Sequence, residues 1–328
     1  MNILTKLRRS IIYHFYSGMK MIRKKIDTDL KKYYFPLNSQ LDRNYKPTII
    51  FMVDGKIIHG GLSDRLRAMT SLYKFAIDNN YRYKIFHVYP FPLNNYLLPN
   101  KYDWRISENE ISYSSVDSTP VYLDDLGYYG SQMFFKRALK KQINGKYKQY
   151  HIYTNIDLVG KSFSYYFNEL FKPIDSLNEE ITKNKTSIGK HYVSMTFRFQ
   201  QLLGDFKEGD YPILNQYDQK LLIKRCIDKI LDLHKRDGFS TVLVTSDSSS
   251  FLSEVSKLKF VYVIPGKVVH MDYTANSSFG IYQKSFVDLF MIAGAEKVYL
   301  LVTGQMYKSG FAKRAALINM IPYEEIIF

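Results

Sequence analysis

The 328-residue chain predicts an α/β protein of two domains, the first opening as a parallel α/β unit and the second a doubly wound sheet. Three observations carry that reading. Short runs with apolar, β-branched centres, such as TIIFMV (48–53), STVLVTSD (240–247) and KVYLLVTG (297–304), have the length and content of strands covered on both faces. Longer stretches with apolar residues three and four apart lie between them. A polar stretch, EEITKNKTSIGK (179–190), divides the alternation in two.

The elements follow in order. Residues 1–35 carry nine basic residues (Lys6, Arg8, Arg9, Lys20, Arg23, Lys24, Lys25, Lys31 and Lys32) against Asp27 and Asp29. That is +7 of a net charge of +15 in a tenth of the chain. Ile3, Leu4, Leu7, Ile11, Ile12, Phe15, Met19 and Ile22 are interleaved at helical spacing, so the segment reads as a basic amphipathic helix. Such a helix either lies on an anionic membrane surface or packs on the body of the protein. Residues 36–47, with two prolines and two asparagines, read as a linker.

A first domain is expected over 48–178. It has a strand at 48–53, a helix at 61–80 with Leu62, Leu66, Met69, Leu72, Tyr73 and Ala76 on one face, and a strand at 83–88. Further strands fall near 120–123 and 149–153, and helices near 130–143 and 163–172. The second domain, 191–328, repeats the unit: strands at 191–199, 240–247, 259–266 and 297–304, each followed by a helix, at 217–236, 248–257, 280–294 and 309–320. In such sheets ligands bind beyond the carboxyl ends of the strands. That end of the second domain holds Arg198, Asp247 and Gly304.

Composition narrows the function. An excess of basic residues asks for an anionic partner: nucleic acid, anionic lipid or a phosphorylated substrate. The charge is concentrated in residues 1–35 and no nucleic-acid motif is present, so a nucleic-acid-binding protein is the alternative rather than the expectation. A single cysteine, Cys226, excludes an internal disulfide or a multi-cysteine metal site and suits a reducing cytosol. No apolar run approaches the ~20 residues needed to span a bilayer, and the N-terminus lacks a signal-peptide core. The expected location is cytoplasmic, peripheral on the inner membrane face.

Two loops look built for an anion. In VTGQMYKSGFAKRAALI (302–318), Ser309 is placed to cap a helix, Gly310 lets a ligand approach the backbone, and Phe311 opens the helix. Lys308, Lys313 and Arg314 lie nearby, and the amides at a helix start attract phosphate. In HGGLSDRLRAM (59–69), Gly60 and Gly61 form an open turn before a helix that carries Asp64, Arg65 and Arg67. His59 is expected to fix that turn. By contrast, NIDLVGKS (155–162) lacks the first glycine of a phosphate-cradling loop, and the D-x-D triplet at 27–29 sits in the basic segment, away from any strand end.

Taken together these motifs resemble the fucosyltransferase superfamily, in a bacterial polysaccharide branch. GGLSDRL is similar to the family's GGLGNQL-type opening, and VSMTFRF with GDF (204–206) to its H-x-R-R-x-D motif. VTSDSSSF (244–251) and the block 284–318, with Asp288 on a helix, resemble the next two. Thr196 and Phe199 replace the motif's histidine and second arginine, four extra residues precede Asp205, and Asp64 stands for the usual asparagine.

The resemblance implies a GT-B-like architecture, two Rossmann-like domains facing across a cleft. The second domain would hold a sugar nucleotide, GDP-fucose, as substrate. The first would take a glycan or lipid-linked glycan acceptor for capsule or lipopolysaccharide synthesis. The reaction would be inverting and metal-independent, with no cofactor. Arg198, Asp64 and Asp205 are the catalytic candidates, with Glu208 a further carboxylate. Gly60, Gly61, Arg65, Asp247, Lys308, Ser309, Gly310 and Phe311 are the donor-binding candidates. Arg198 and the helix start at 309–311 would meet the leaving diphosphate. Asp247 is open between a ribose or base ligand and a cap of the next helix. A non-catalytic glycan-binding relative is the remaining alternative.

Overall fold

The computed structural model describes residues 24–124, 132–206, 209, 211–272 and 280–328. The chain divides into two compact units. The first comprises the described residues up to His59, Asp64–Tyr89 and Tyr102–Gly160; the second comprises Gly60–Ser63, Pro90–Lys101 and Lys161–Phe328.

The first unit is built on a four-stranded parallel sheet. Its strands are β1 (Thr48–Val53), β2 (Arg82–His87), β4 (Ser118–Leu123) and β5 (Gln149–Thr154), in the order β2-β1-β5-β4. β1 and β5 are buried along their whole length; β1 is accordingly an apolar run, while β5 buries Gln149, His151 and Thr154 as well. α1 (Leu62–Asp78) buries all six residues of the face its periodicity predicts. α2 (Gln132–Gln142) buries Phe135 and Leu139.

The start of the described chain is not a free arm. Residues 24–31 are helical, and Leu30 joins a core cluster with Ile50, Met52, Phe86, Ile111 and Tyr153. The expected linker is also tied down. Buried Asp117 accepts hydrogen bonds from Ser39 Oγ (2.6 Å), Gln40 N (2.6 Å) and Leu41 N (3.2 Å), and pairs with Lys148 (2.9 Å). The part of the amphipathic prediction that falls on residues 1–23 lies outside the described residues.

The second unit has a five-stranded parallel sheet in the order β11-β10-β7-β8-β9. Its strands are β7 (Val193–Phe197), β8 (Val242–Ser246), β9 (Val261–Tyr262), β10 (Val298–Val302) and β11 (Tyr323–Ile327). Its helices include α4 (Asp175–Ile188), α5 (Gln216–Asp237), α6 (Ser249–Val255), α7 (Gln283–Ala293) and α8 (Phe311–Ile318). Each strand from β7 to β10 runs into a helix, and β10 lies beside β7, so the chain winds both ways from the centre of the sheet.

Three differences from the sequence reading have plain causes. The polar stretch 179–190 is mostly helix: α4 buries Leu177, Ile181, Asn184 and Ile188 on one stripe, and its exposed polar majority hides that stripe in composition. Residues 161–178 group with the second unit, because β6 (Phe171–Pro173) pairs antiparallel with β3 (Leu97–Pro99) and α3 (Phe163–Leu170) packs on α8. The strand expected at 259–266 keeps only two residues, at a sheet edge with Pro265 close behind.

Candidate functional site

The carboxyl edge of the second sheet gathers the residues singled out above. β7 stops at Phe197, and Arg198 is the first residue beyond it. Its guanidinium lies 4.5 Å from the centre of the Phe206 ring and pairs with Asp247 at 3.3 Å. Arg198 is 17% exposed at its side chain, Asp247 almost fully buried.

Asp247 follows β8 and braces the whole turn. It accepts hydrogen bonds from Phe199 N (2.9 Å) and Gln200 N (2.7 Å). Burial raises its carboxyl above the ordinary value, against the pull of Arg198 and of these amides. Gln200 is one of the few non-glycine residues at positive φ (55°), so the brace holds a strained turn.

The four residues added before Asp205 form a packed turn. Gly204 N donates to Gln201 O at 2.9 Å, and Leu202, Leu203 and Phe206 are buried. Asp205 is thereby directed at the start of α6: its Oδ2 accepts from Ser248 Oγ (2.9 Å) and Ser250 N (2.7 Å). It acts as a cap and brace there. Asp247, by contrast, does not cap α6; Ser248 does, accepting from Phe251 N. Glu208 lies outside the described residues.

The loop after β10 comes to the same place. Tyr307 N donates to Arg198 O at 3.0 Å, which ties the two strand ends together. Gly304 turns the chain at φ 57°. Ser309 Oγ accepts from Phe311 N at 3.2 Å, and Gly310 is the residue that caps α8. A side chain at 310 would start 3.5 Å from Ser63 Oγ, so the glycine sits in a close approach. Helix geometry leaves the first-turn amides of α8 without partners inside the helix. Lys308 pairs with Glu325 at 2.6 Å. Arg314 is buried and lies 4.7 Å over the Phe163 ring, so it supports α8 from inside.

A cavity of about 440 Å³ opens in this unit beyond β9. Glu180, Ile264, Gly266, Gly280, Lys284 and Val287 are among its lining residues. Lys284 Nζ donates to both carboxylate oxygens of Asp288, at 2.8 and 3.0 Å, within the buried face of α7. Asp288 thus orients Lys284, which the sequence reading did not select. The i,i+4 pair in KSFVD was the available signal.

The glycine turn expected to open the donor site divides in role. Gly60, at φ 81°, donates its N–H to Asp272 Oδ2 at 2.7 Å. Gly61 has open space where a Cβ would sit. Asp64 is partly exposed and pairs with Arg67 at 3.1 Å. Arg65 points the other way. It is fully buried in the first unit and donates to Tyr89 O (3.1 Å), with His87 Nε2 also at 3.1 Å. Its guanidinium holds the loop after β2 and is committed to the interior. Buried His59 stacks on Tyr153, and burial pushes its imidazole down to about 3.

The sequence reading also missed a polar cluster at the carboxyl end of β1. Asp54 is bonded by Lys56 and by Tyr153 OH (2.9 Å), and Lys56 reaches Tyr113 OH at 3.2 Å. An aspartate directly after a buried strand, in TIIFMVDGK, was the signal. Among the described residues there is no group of three or more His, Cys, Asp or Glu that could hold a metal ion, and no helix long and apolar enough to cross a membrane.

No protein-family model matches the chain, and no curated protein matches its sequence. Solved structures do match its fold. The alpha-1,6-fucosyltransferase NodZ, soaked with GDP-fucose, is 12% identical over 86% of this chain and 95% of its own, with a TM-score of 0.54. NodZ from Bradyrhizobium matches at 13% identity, 86% and 96% coverage and a TM-score of 0.53. A variant of FUT1 from Arabidopsis thaliana, in complex with GDP, is 12% identical over 98% of this chain and 78% of its own, with a TM-score of 0.53. The chain therefore has the GT-B-like α/β fold that these fucosyltransferases share.

Proposed function

We propose that the protein is a glycosyltransferase that moves a sugar from a nucleoside diphosphate, GDP-fucose by preference, onto a glycan or lipid-linked glycan acceptor. The observation that carries this reading is the tie between Arg198 and the loop leading into α8, made by Tyr307 N at 3.0 Å. It puts a braced guanidinium and a helix start on one edge of the sheet. The GDP and GDP-fucose bound by neighbours of the same fold support a GDP-sugar donor.

Departure of the diphosphate builds negative charge on its terminal phosphate. Arg198 and the start of α8 at Gly310 meet that charge, with Lys308 close to the same turn. The reaction is inverting and needs no metal. Gly60 and Gly61 leave room for the donor to approach. Asp64 is the base candidate on the first unit, which takes the acceptor; Asp205 keeps the Arg198 loop in place. The cavity beside Lys284 receives the base of the nucleotide. Arg65 serves by holding its own loop. The segment 1–35 adds an anionic membrane surface as partner, on the cytoplasmic face where capsule or lipopolysaccharide precursors are made.

Thermal unfolding with GDP, UDP and ADP tests the reading: GDP raises Tm most. Arg198→Ala abolishes that shift and lowers turnover by about two orders of magnitude, as for the loss of an oxyanion donor. Full turnover persists in chelator. A lack of response to every nucleotide would sink the transferase reading, and activity that returns only with Mn²⁺ would sink the metal-free mechanism. A nucleic-acid-binding protein would instead lose its ligand on deletion of residues 1–35.

A further inference from the structure

Residues 33–37 run beside 113–116 on the first unit. Phe35 bridges Ser114 in parallel, Phe35 N donates to Tyr113 O (3.1 Å), Ser115 N to Phe35 O (2.8 Å), and Ser114 Oγ to Leu37 O (2.8 Å). Alternation along extended chain sends Tyr34 and Tyr113 inward, where Tyr34 OH meets His151 Nδ1 at 2.6 Å. Tyr33, in the turn that ends the helix, Phe35 and Leu37 on the strap, and Val116, in the turn after Ser114, all reach solvent. These four side chains are 48%, 56%, 47% and 59% exposed.

The strap cannot rotate to hide them. Leu30 is buried in the core before it, Tyr34 is pinned within it, and Ser39–Leu41 are bound to Asp117 after it. An apolar ridge held outward by its own anchors, with aromatic members, is a surface made for an apolar partner. Its surroundings state the partner's charge. Lys24, Lys25 and Lys31 are exposed on the helical turns that lead into it, and Lys6, Arg8, Arg9, Lys20 and Arg23 precede them in sequence. Apolar and aromatic residues bordered by lysines match the boundary between acyl chains and anionic headgroups.

We propose that this ridge is a membrane-docking wedge: Phe35, Leu37 and Val116 enter the interface of an anionic bilayer while Lys24, Lys25 and Lys31 meet its phosphates. This goes beyond the charge of the N-terminal segment, because it assigns a built, apolar contact on the folded unit. It rests on the membrane part of the proposed function and not on the chemistry, so it is read by binding rather than turnover.

Full-length protein is floated with vesicles of phosphatidylcholine alone or with 30 mol% phosphatidylglycerol, at physiological salt. The wild type binds the anionic vesicles. The triple variant Phe35→Ser, Leu37→Ser, Val116→Ser binds them roughly 10- to 100-fold more weakly at unchanged salt dependence. Replacing Lys24, Lys25 and Lys31 by Gln weakens binding by about 5-fold per charge and flattens the salt dependence. A Phe35→Trp variant, read against buried Trp104, shifts to the blue on anionic vesicles, and keeps the test valid should the triple variant misfold. Wild-type protein that ignores anionic vesicles overturns the proposal, as does a triple variant that binds like wild type. A triple variant that only breaks a dimer, or only loses glycan acceptor, overturns it in favour of a second copy or a sugar-stacking face.

Discussion

Asp247→Asn separates two roles that the sequence left open for this residue, ribose ligand and structural brace. One carboxylate oxygen accepts from Phe199 N at 2.9 Å. The other accepts from Gln200 N at 2.7 Å and faces the Arg198 guanidinium at 3.3 Å. An amide keeps the first contact. It then turns an NH₂ towards Gln200 N–H and Arg198, so donors meet donors in a buried place. A buried N–H left without an acceptor costs about 1–3 kcal/mol. Removing one partner of a buried ion pair costs about 3–5 kcal/mol, and less here because Arg198 keeps some water contact. The expected loss is about 3 kcal/mol, measured as a lower urea midpoint at constant m-value. A double-mutant cycle with Arg198→Met should recover at least about 1 kcal/mol of coupling. The brace reading fails if Asp247→Asn unfolds like the wild type but no longer gains stability from GDP. That pattern belongs to a ligand that touches the nucleotide.

Three further outcomes follow from named contacts. Burial pushes the imidazoles of His59 and His151 down to about 3, while an unfolded histidine titrates near 6.5. The unfolded chain therefore takes up protons first as pH falls, and stability is lost below about 6.5, by up to ~2 kcal/mol per histidine at pH 5. His151→Gln should flatten the pH dependence of the urea midpoint between pH 7 and 5. For Asp117, burial pushes the carboxyl up, but hydrogen bonds from Ser39, Lys148, Gln40 and Leu41 outweigh it and hold the group at about 2. Its stabilisation is present above pH ~4 and disappears as pH falls towards 2. At pH 7, Asp117→Asn should cost on the order of 2 kcal/mol and open residues 39–41 to protease. Lys284→Met leaves Asp288 buried without its partner and should destabilise by about 3–5 kcal/mol, whereas Lys284→Met with Asp288→Leu should return most of it. If the cavity beside Lys284 holds the base, the double variant is stable yet loses its response to GDP.

Periodicity made most of this architecture legible. Buried strands such as β1 and β7 and one-faced helices such as α1 announce themselves, because their burial is one-dimensional and repeats along the chain. What stayed hidden was whatever depends on a distant partner. Arg65 stands beside a glycine loop, which suggested a ligand, but the helical turn of α1 points it inward to His87 and to Tyr89 O. Composition marked 179–190 as a connector, although Ile181 and Ile188 continue an apolar stripe. β11, with Glu324 and Glu325, reads as polar because it is an edge strand. Lys284 was overlooked because a lysine in an apolar helix has meaning only once Asp288 is seen on the same buried face.

Arg198 was found by its chemistry, yet its immediate partner is Asp247, and the two facts support each other. A guanidinium mostly out of water needs an anion in the folded protein before any substrate arrives. It also carries five N–H donors in a rigid fork, and Asp247 meets that fork at 3.3 Å. Asp247 therefore fixes the plane of the fork, and the Phe206 ring fixes its face. Tyr307 N then fixes the backbone from the β10 side. Three strand ends are locked together by contacts to the residues 198–200, and the strain at Gln200 is the local cost of that arrangement. An electrostatic group that is already oriented pays no reorganisation when charge develops before it. The stiffness of this turn, more than the presence of one more cation on a basic protein, is thus what a departing diphosphate would use, and loosening it at Asp247 should slow turnover even with Arg198 intact.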